Sequence, residues 1–219
     1  MRLISVVNGK GGVGKTTIVM SLAAVLAEVS RVLVVDNDYL QNSATWWSER
    51  AGENLPFDFA RGDDPSALKQ LRSLPYDIVI VDTPGNLKVV DELKIIVEQS
   101  DNVLVPMKPE AMSVKPTAET IKKVIEPTGV DYRVLINEVD PRIADHAQDA
   151  QVLVDQAGWP RLQNYIRSYK VHSDAPAVGN VATQYEAART AYKATEDFRR
   201  VALEIQSLWA RPAQPAEVH

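Results

Sequence analysis

The residues Gly9-Lys10-Gly11-Gly12-Val13-Gly14-Lys15-Thr16 carry the spacing G-x-x-x-x-G-K-[ST]. Glycines at this density let the chain curl until successive backbone N–H groups point inward, which makes a cradle for a phosphate. A helix that starts at the end of the cradle adds partial positive charge. In such a site Gly11, Gly12, Val13 and Gly14 supply the backbone, Lys15 reaches the β- and γ-phosphates, and the Thr16 hydroxyl serves Mg²⁺, with Thr17 following in the first helical turn. The motif requires a strand before it and a helix after it. Leu3–Val7 is a short β-rich apolar run, and a long periodic segment leads from Lys15 to about Val29.

Acidic residues follow at the ends of two later apolar runs. Asp36 and Asp38 come after Val32–Val35, and alternation along an extended chain points both carboxylates the same way. Such a pair can hold Mg²⁺-bound water and orient an attacking water, which is most of what phosphoryl transfer asks of a protein. Ile78–Val81 ends in Asp82, which can bind Mg²⁺ through water. Gly85 then offers an unobstructed N–H able to sense a γ-phosphate. Alone, such aspartates serve equally as turn or helix caps; their order after the glycine loop selects the site. Lys10 is the unusual member. A second lysine at the loop's rim has more than its own phosphates within reach, and a nucleotide on a facing subunit is its natural partner.

The elements that must position these residues are legible from the apolar runs. Val32–Val35, Ile78–Val81, Val103–Val105 and Val134–Ile136 lack alternation, as strands covered on both faces do. Helix-like segments over 41–51, 66–74, 87–99, 114–126 and 144–157 separate most of them, and 185–210 reads as one long closing helix. The expected fold is α/β, a mostly parallel sheet with helices on both faces, in one domain over 1–211. Phe57–Phe59 and Leu162–Ile166 are candidate edge strands, and residues 212–219 form an expected disordered tail. There is no cysteine, which excludes disulfides, thiolate metal sites and iron–sulfur clusters. No apolar run is long enough to span a bilayer, so a cytoplasmic protein is expected. Net charge is −5, yet residues 161–211 hold 8 basic against 5 acidic residues while 1–160 hold 16 against 23. A locally basic face can still grip phosphates.

Lys10-Gly11-Gly12-Val13-Gly14-Lys15-Thr16-Thr17 resembles the deviant Walker A box of the ParA/MinD ATPases, a P-loop NTPase family. The resemblance implies ATP and ADP as ligands with Mg²⁺, and makes Lys10 the lysine that crosses a dimer interface to the partner's phosphates. By the same resemblance Lys10, Lys15 and Asp38 are catalytic, and Asp36 belongs with Thr16 and Asp82 to the magnesium shell. The chain departs from the family's Asp-x-Asp-Pro-Gln segment at Tyr39-Leu40-Gln41. Pro106, Pro109 and Asn137 lie in segments resembling the loops that flank adenine, though strand-to-helix turns would look alike. No Asn-Lys-x-Asp guanine-reading pattern is present.

The short partition proteins often called ParF-like are the nearest resemblance. They imply an ATP-bridged homodimer that binds DNA without sequence preference, associates with the nucleoid, and is released when a small centromere-binding, ParB-like protein stimulates hydrolysis. Arg167, Lys170, Arg189 and Lys193 are the candidate DNA contacts, with ordinary solvated cations as the alternative. Other readings are a MinD-like positioning ATPase, a metabolic P-loop ligase of the dethiobiotin-synthetase kind, and a nucleotide-binding regulator without turnover. Membrane attachment would need the apolar members of Asp197–Trp209 to be free of the core.

Overall fold

Strands without alternation need cover on both faces, and the chain supplies it. The computed structural model describes residues 1–62, 64–184 and 190–210. Six strands, β1 (Arg2–Val6), β2 (Val32–Asp36), β3 (Asp58–Arg61), β4 (Ile78–Asp82), β5 (Asn102–Met107) and β6 (Tyr132–Ile136), form one sheet in the order β3-β2-β4-β1-β5-β6. Every pairing is parallel. Register aligns Val6 with Asp82 and Asp36 with Asp82, so the phosphate loop and two candidate carboxylates leave the sheet at one level.

The helices are α1 (Lys15–Leu26), α2 (Ser43–Ala51), α3 (Val90–Gln99), α4 (Ala111–Thr120), α5 (His146–Gln156), α6 (Val171–Ala177) and α7 (Ala191–Ala210). Alternation along the strands divides the core. Ile4, Val6, Val34 and Ile80 face α1, α2 and α7, whereas Val79, Val81, Val103 and Val105 face α3, α5 and the turns beside them. On α7, Phe198, Val201 and Ile205 are buried in the first of these layers. The helix's apolar face is therefore core, and no described helix is long and apolar enough to cross a membrane.

Several expected boundaries move for identifiable reasons. The helix expected over 114–126 starts at Ala111 and becomes a π-helix over Ile121–Ile125. The segment over 66–74 is a 3₁₀ helix, Pro65–Ser73. The expected edge strand Leu162–Ile166 makes no continuous ladder: it has isolated bridges from Arg161 to Val134 of β6 and from Arg167 to Val139 beyond it. Its ladder breaks because the N–H groups of Gln163 and Asn164 donate to Glu204 on α7, at 2.7 and 2.9 Å. Helix α6 has no counterpart among the expected elements: at seven residues with Pro176 inside, it has no periodicity to read. The expected closing helix is described from Ala191, and Arg189 and the tail over 212–219 lie outside the described residues.

Candidate nucleotide site

The loop between β1 and α1 is built around Asn8, which is fully buried. Its Oδ1 accepts from the Lys10 N–H at 2.9 Å and its Nδ2 donates to the Pro106 carbonyl at 2.8 Å, fixing where the loop leaves the sheet. Gly14 precedes α1 at φ 85°, a left-handed conformation suited to glycine. A Cβ there would stand 2.4 Å from Asn137 Nδ2. No side chain caps α1 and no acidic residue occupies its first turn, so its leading N–H groups are left for an anion. They open into a cavity of about 660 Å³ whose walls include Gly12, Lys15, Thr16, Thr17 and Asp38.

Charges are concentrated and dry at this point. Lys15 is 7 % exposed and Asp82 is fully buried. Burial pushes the Lys15 pKa down, against the pull of Asp82 and Asp38. Burial likewise raises Asp82 to about 7, opposed by the Thr16 hydrogen bond and by Lys15, with Asp36 and Asp38 adding to the rise. Thr16 Oγ1 donates to Asp82 Oδ2 at 2.7 Å, while Asp82 Oδ1 is buried without a partner among the described residues. An unpaired carboxylate oxygen beside a hydroxyl is a hard-oxygen donor set that fits Mg²⁺ and its water. Asp38 is also pushed up by burial, chiefly against the Gln41 N–H it accepts.

Both oxygens of Asp36 are hydrogen-bonded. Its Oδ1 accepts from the Asp38 N–H at 2.9 Å, and its Oδ2 accepts from the Thr45 N–H and hydroxyl at 2.8 and 2.6 Å. The carboxylate braces the turn from β2 into α2 and thereby aims Asp38 into the cavity. Gly85 lies against the loop from the other side. A Cβ on it would come 2.8 Å from Lys15 Nζ and 3.3 Å from Gly11 Cα, so a side chain here would displace the lysine.

Gly14 and Thr17 also line a second cavity of about 450 Å³, closed by Asn137, Glu138, Tyr169 and His172. Asn137 Nδ2 donates to the Val13 carbonyl at 2.8 Å, joining this cavity to the phosphate loop. The loop expected at Pro106 is strand instead. Pro106 is a buried residue within β5, because that strand continues to Met107, and neither proline lines either cavity. The opposing wall is made by Ser168, Tyr169, Lys170, His172 and Ser173, a segment to which sequence reasoning gave no part in this cavity. Trp46, Trp47 and Pro176, which extend the first cavity, were missed as well.

The candidate DNA contacts separate. Arg167 is held by Asp197, with guanidinium–carboxylate distances of 2.6–3.1 Å, and Asp197 is 3 % exposed. The arginine's charge is paired within the protein, and its side chain is 26 % exposed. The Lys170 side chain, 86 % exposed, sits beside the second cavity and pairs with Asp174. Lys193 is exposed on α7. Lys10 does not line its own phosphate cavity; its ammonium lies 3.3 Å from Ser113 Oγ on α4.

Residues 4–181 match the model of the CobQ/CobB/MinD/ParA nucleotide binding domain. The chain is 39 % identical to maintenance of carboxysome distribution protein A of Gloeobacter kilaueensis, over 96 % of both chains. It is 26 % identical to the chromosome-partitioning ATPase Soj of Thermus thermophilus, covering 94 % of this chain and 96 % of that one. The fold is shared with the MinD cell division protein of Aquifex aeolicus at a TM-score of 0.75 and 19 % identity, covering 98 % of this chain and 99 % of that chain. These likenesses do not single out plasmid partition. The chain belongs to the CobQ/CobB/MinD/ParA nucleotide-binding family and is an ATPase of its ParA/MinD type.

Proposed function

We propose that this ATPase positions a large intracellular cargo, using ATP to pair two copies that hold DNA. The 39 % identity with a carboxysome-distribution protein along nearly the whole chain carries this reading over plasmid partition. The partner that stimulates release is then an adaptor on the cargo, in place of a centromere-binding protein.

In this reading the glycine loop from Gly11 to Gly14 and the first turn of α1 bind the phosphates, and Lys15 sets its charge against the β- and γ-phosphates. Thr16 and Asp82 hold Mg²⁺, which when bound neutralises phosphate charge. Asp38 orients the attacking water, and the drawn-in environment that raises its pKa suits a group that takes up a proton. Gly85 reports the γ-phosphate to the segment that follows it. The base enters the second cavity beside Asn137, with ATP and ADP as the ligands.

Lys10 is turned toward Ser113 and does not line its own phosphate cavity, which supports a role toward a facing copy. The same end of the sheet exposes Leu40, Trp46 and Met112, at 54, 50 and 84 %. Large apolar side chains around a charged site fit an interface that closes only when nucleotide links two copies. DNA contact falls to Lys170 and Lys193, with Arg189 beyond the described residues. Sedimentation velocity with ATP, ADP and no nucleotide, with and without an unrelated duplex, tests the proposal: a dimer and a DNA complex are expected with ATP alone.

A further inference from the structure

Helix α4 turns an unusual face inward. Ser113, Thr117 and Thr120 fall on one side of the helix and are 1, 1 and 0 % exposed. Buried hydroxyls are costly unless bonded, and each of these meets the start of the phosphate loop. Thr117 Oγ1 accepts from Asn8 Nδ2 at 3.2 Å, Thr120 Oγ1 accepts from the Gly9 N–H at 3.0 Å, and Ser113 Oγ accepts from Lys10 Nζ at 3.3 Å. Three consecutive loop residues are bonded to one face of one helix.

The lysine rung differs from the others. Asn8 and Gly9 are fixed by the backbone of the loop, whereas the Lys10 ammonium ends a flexible stem and leaves by side-chain rotation alone. Pro116 stands between Ser113 and Thr117 inside α4. Lacking an N–H, it cannot bond the Met112 carbonyl, so the first turn is tied to the rest of α4 by one bond fewer. That turn carries both Ser113 and the exposed Met112.

We propose that Ser113 is a positioning residue that parks Lys10 in the nucleotide-free monomer and so sets the threshold for pairing two copies. This rests on Lys10 being the lysine that crosses to the facing copy's phosphates. In this proposal an ammonium extended to a phosphate across the interface is drawn away from Ser113 of its own chain. Pairing must first break the internal contact, whose free energy is subtracted from that of association. Release also strips Ser113 of its donor, which biases the hinged first turn of α4, and Met112 with it, toward a new position.

The test separates parking from packing. With Mg²⁺ and a non-hydrolysable ATP analogue, Ser113→Ala should tighten self-association about five- to tenfold in sedimentation velocity, with the Kd for ADP unchanged. Ser113→Thr keeps the hydroxyl and should return association to the wild-type value. Unchanged or weaker association in Ser113→Ala overturns the threshold. Parking is read without nucleotide by chemical unfolding of Lys10→Ala, Ser113→Ala and the double variant. The two effects should be less than additive, and full additivity overturns the contact. Should Ser113→Ala fail to fold, Lys10→Ala alone must lower the unfolding midpoint, and an unchanged midpoint overturns parking. A wild-type chain that stays monomeric with the analogue overturns the dimer reading and the threshold together. Dimerisation that ignores Ser113 overturns the threshold alone.

Discussion

Thr16 on the first turn of α1 donates its hydroxyl to Asp82 at the end of β4, 2.7 Å away, and leaves the other oxygen of that carboxylate buried and unpaired. Two sequence motifs separated by 66 positions thus meet as one hydrogen bond. The consequences begin with pH. Asp82 is raised by burial to about 7, so between the unfolded carboxylate pKa and that value the folded chain holds a proton that the unfolded chain has lost. Its contribution to stability is full below the unfolded pKa and is lost as pH rises through about 7. The nucleotide-free protein should therefore lose stability between about pH 4 and pH 7, by at most about 4 kcal/mol from this group. Asp82→Asn should flatten that slope in urea unfolding series, while weakening Mg²⁺-dependent nucleotide binding.

The two lysines of the loop should separate in calorimetry. Lys15→Ala removes a charge-assisted contact to the phosphates and should weaken ADP and ATP by about a hundredfold or more. Lys10→Ala should keep the affinity for ADP and lose ATP-dependent dimerisation and turnover. Equal loss of ADP affinity in both variants contradicts the placement of Lys10 outside its own site.

Arg167 was legible in the sequence only as a cation after a strand. Its partner Asp197 lies 30 positions later on α7, and nothing local announces the pair. Arg167→Ala should cost about 2–4 kcal/mol in unfolding, because it leaves a buried carboxylate without its counter-charge. Lys170→Ala with Lys193→Ala should leave stability within about 0.5 kcal/mol and reduce retention of DNA on filters. The slope of log affinity against log salt should fall by about 0.9 for each phosphate that is no longer neutralised.

Gly85→Ala should fold, since no left-handed backbone is involved, but its methyl would crowd Lys15 Nζ at 2.8 Å and Gly11 at 3.3 Å. We expect at least about tenfold weaker ATP binding, the scale of about 1.4 kcal/mol. Titration of ATP into the variant measures it.

What the sequence disclosed was whatever depends on local chemistry. Apolar runs without alternation marked β1, β2, β4, β5 and β6, and the glycine loop marked the start of α1. Asp38 and Asp82 followed from strand ends. What stayed hidden depends on distant partners. That Asp36 braces the turn into α2 stayed hidden because nothing in its own segment shows Thr45 bonding to it. Pro106 looked like a loop residue because proline usually ends a strand, yet β5 carries it in register opposite Leu135. The wall at 168–173 follows an irregular sheet edge whose donors are taken by α7, so it has no period of its own.

The central claim, that ATP joins two copies and the pair holds DNA, is tested most directly with Asp38→Ala, which removes the carboxylate proposed to orient water and leaves the phosphate cradle intact. Sedimentation velocity of this variant with saturating Mg-ATP and an unrelated duplex should yield a stable dimer that carries the DNA, while Mg-ADP leaves a monomer and free duplex. A monomer under Mg-ATP, or equal DNA binding with ATP, ADP and no nucleotide, would contradict the account.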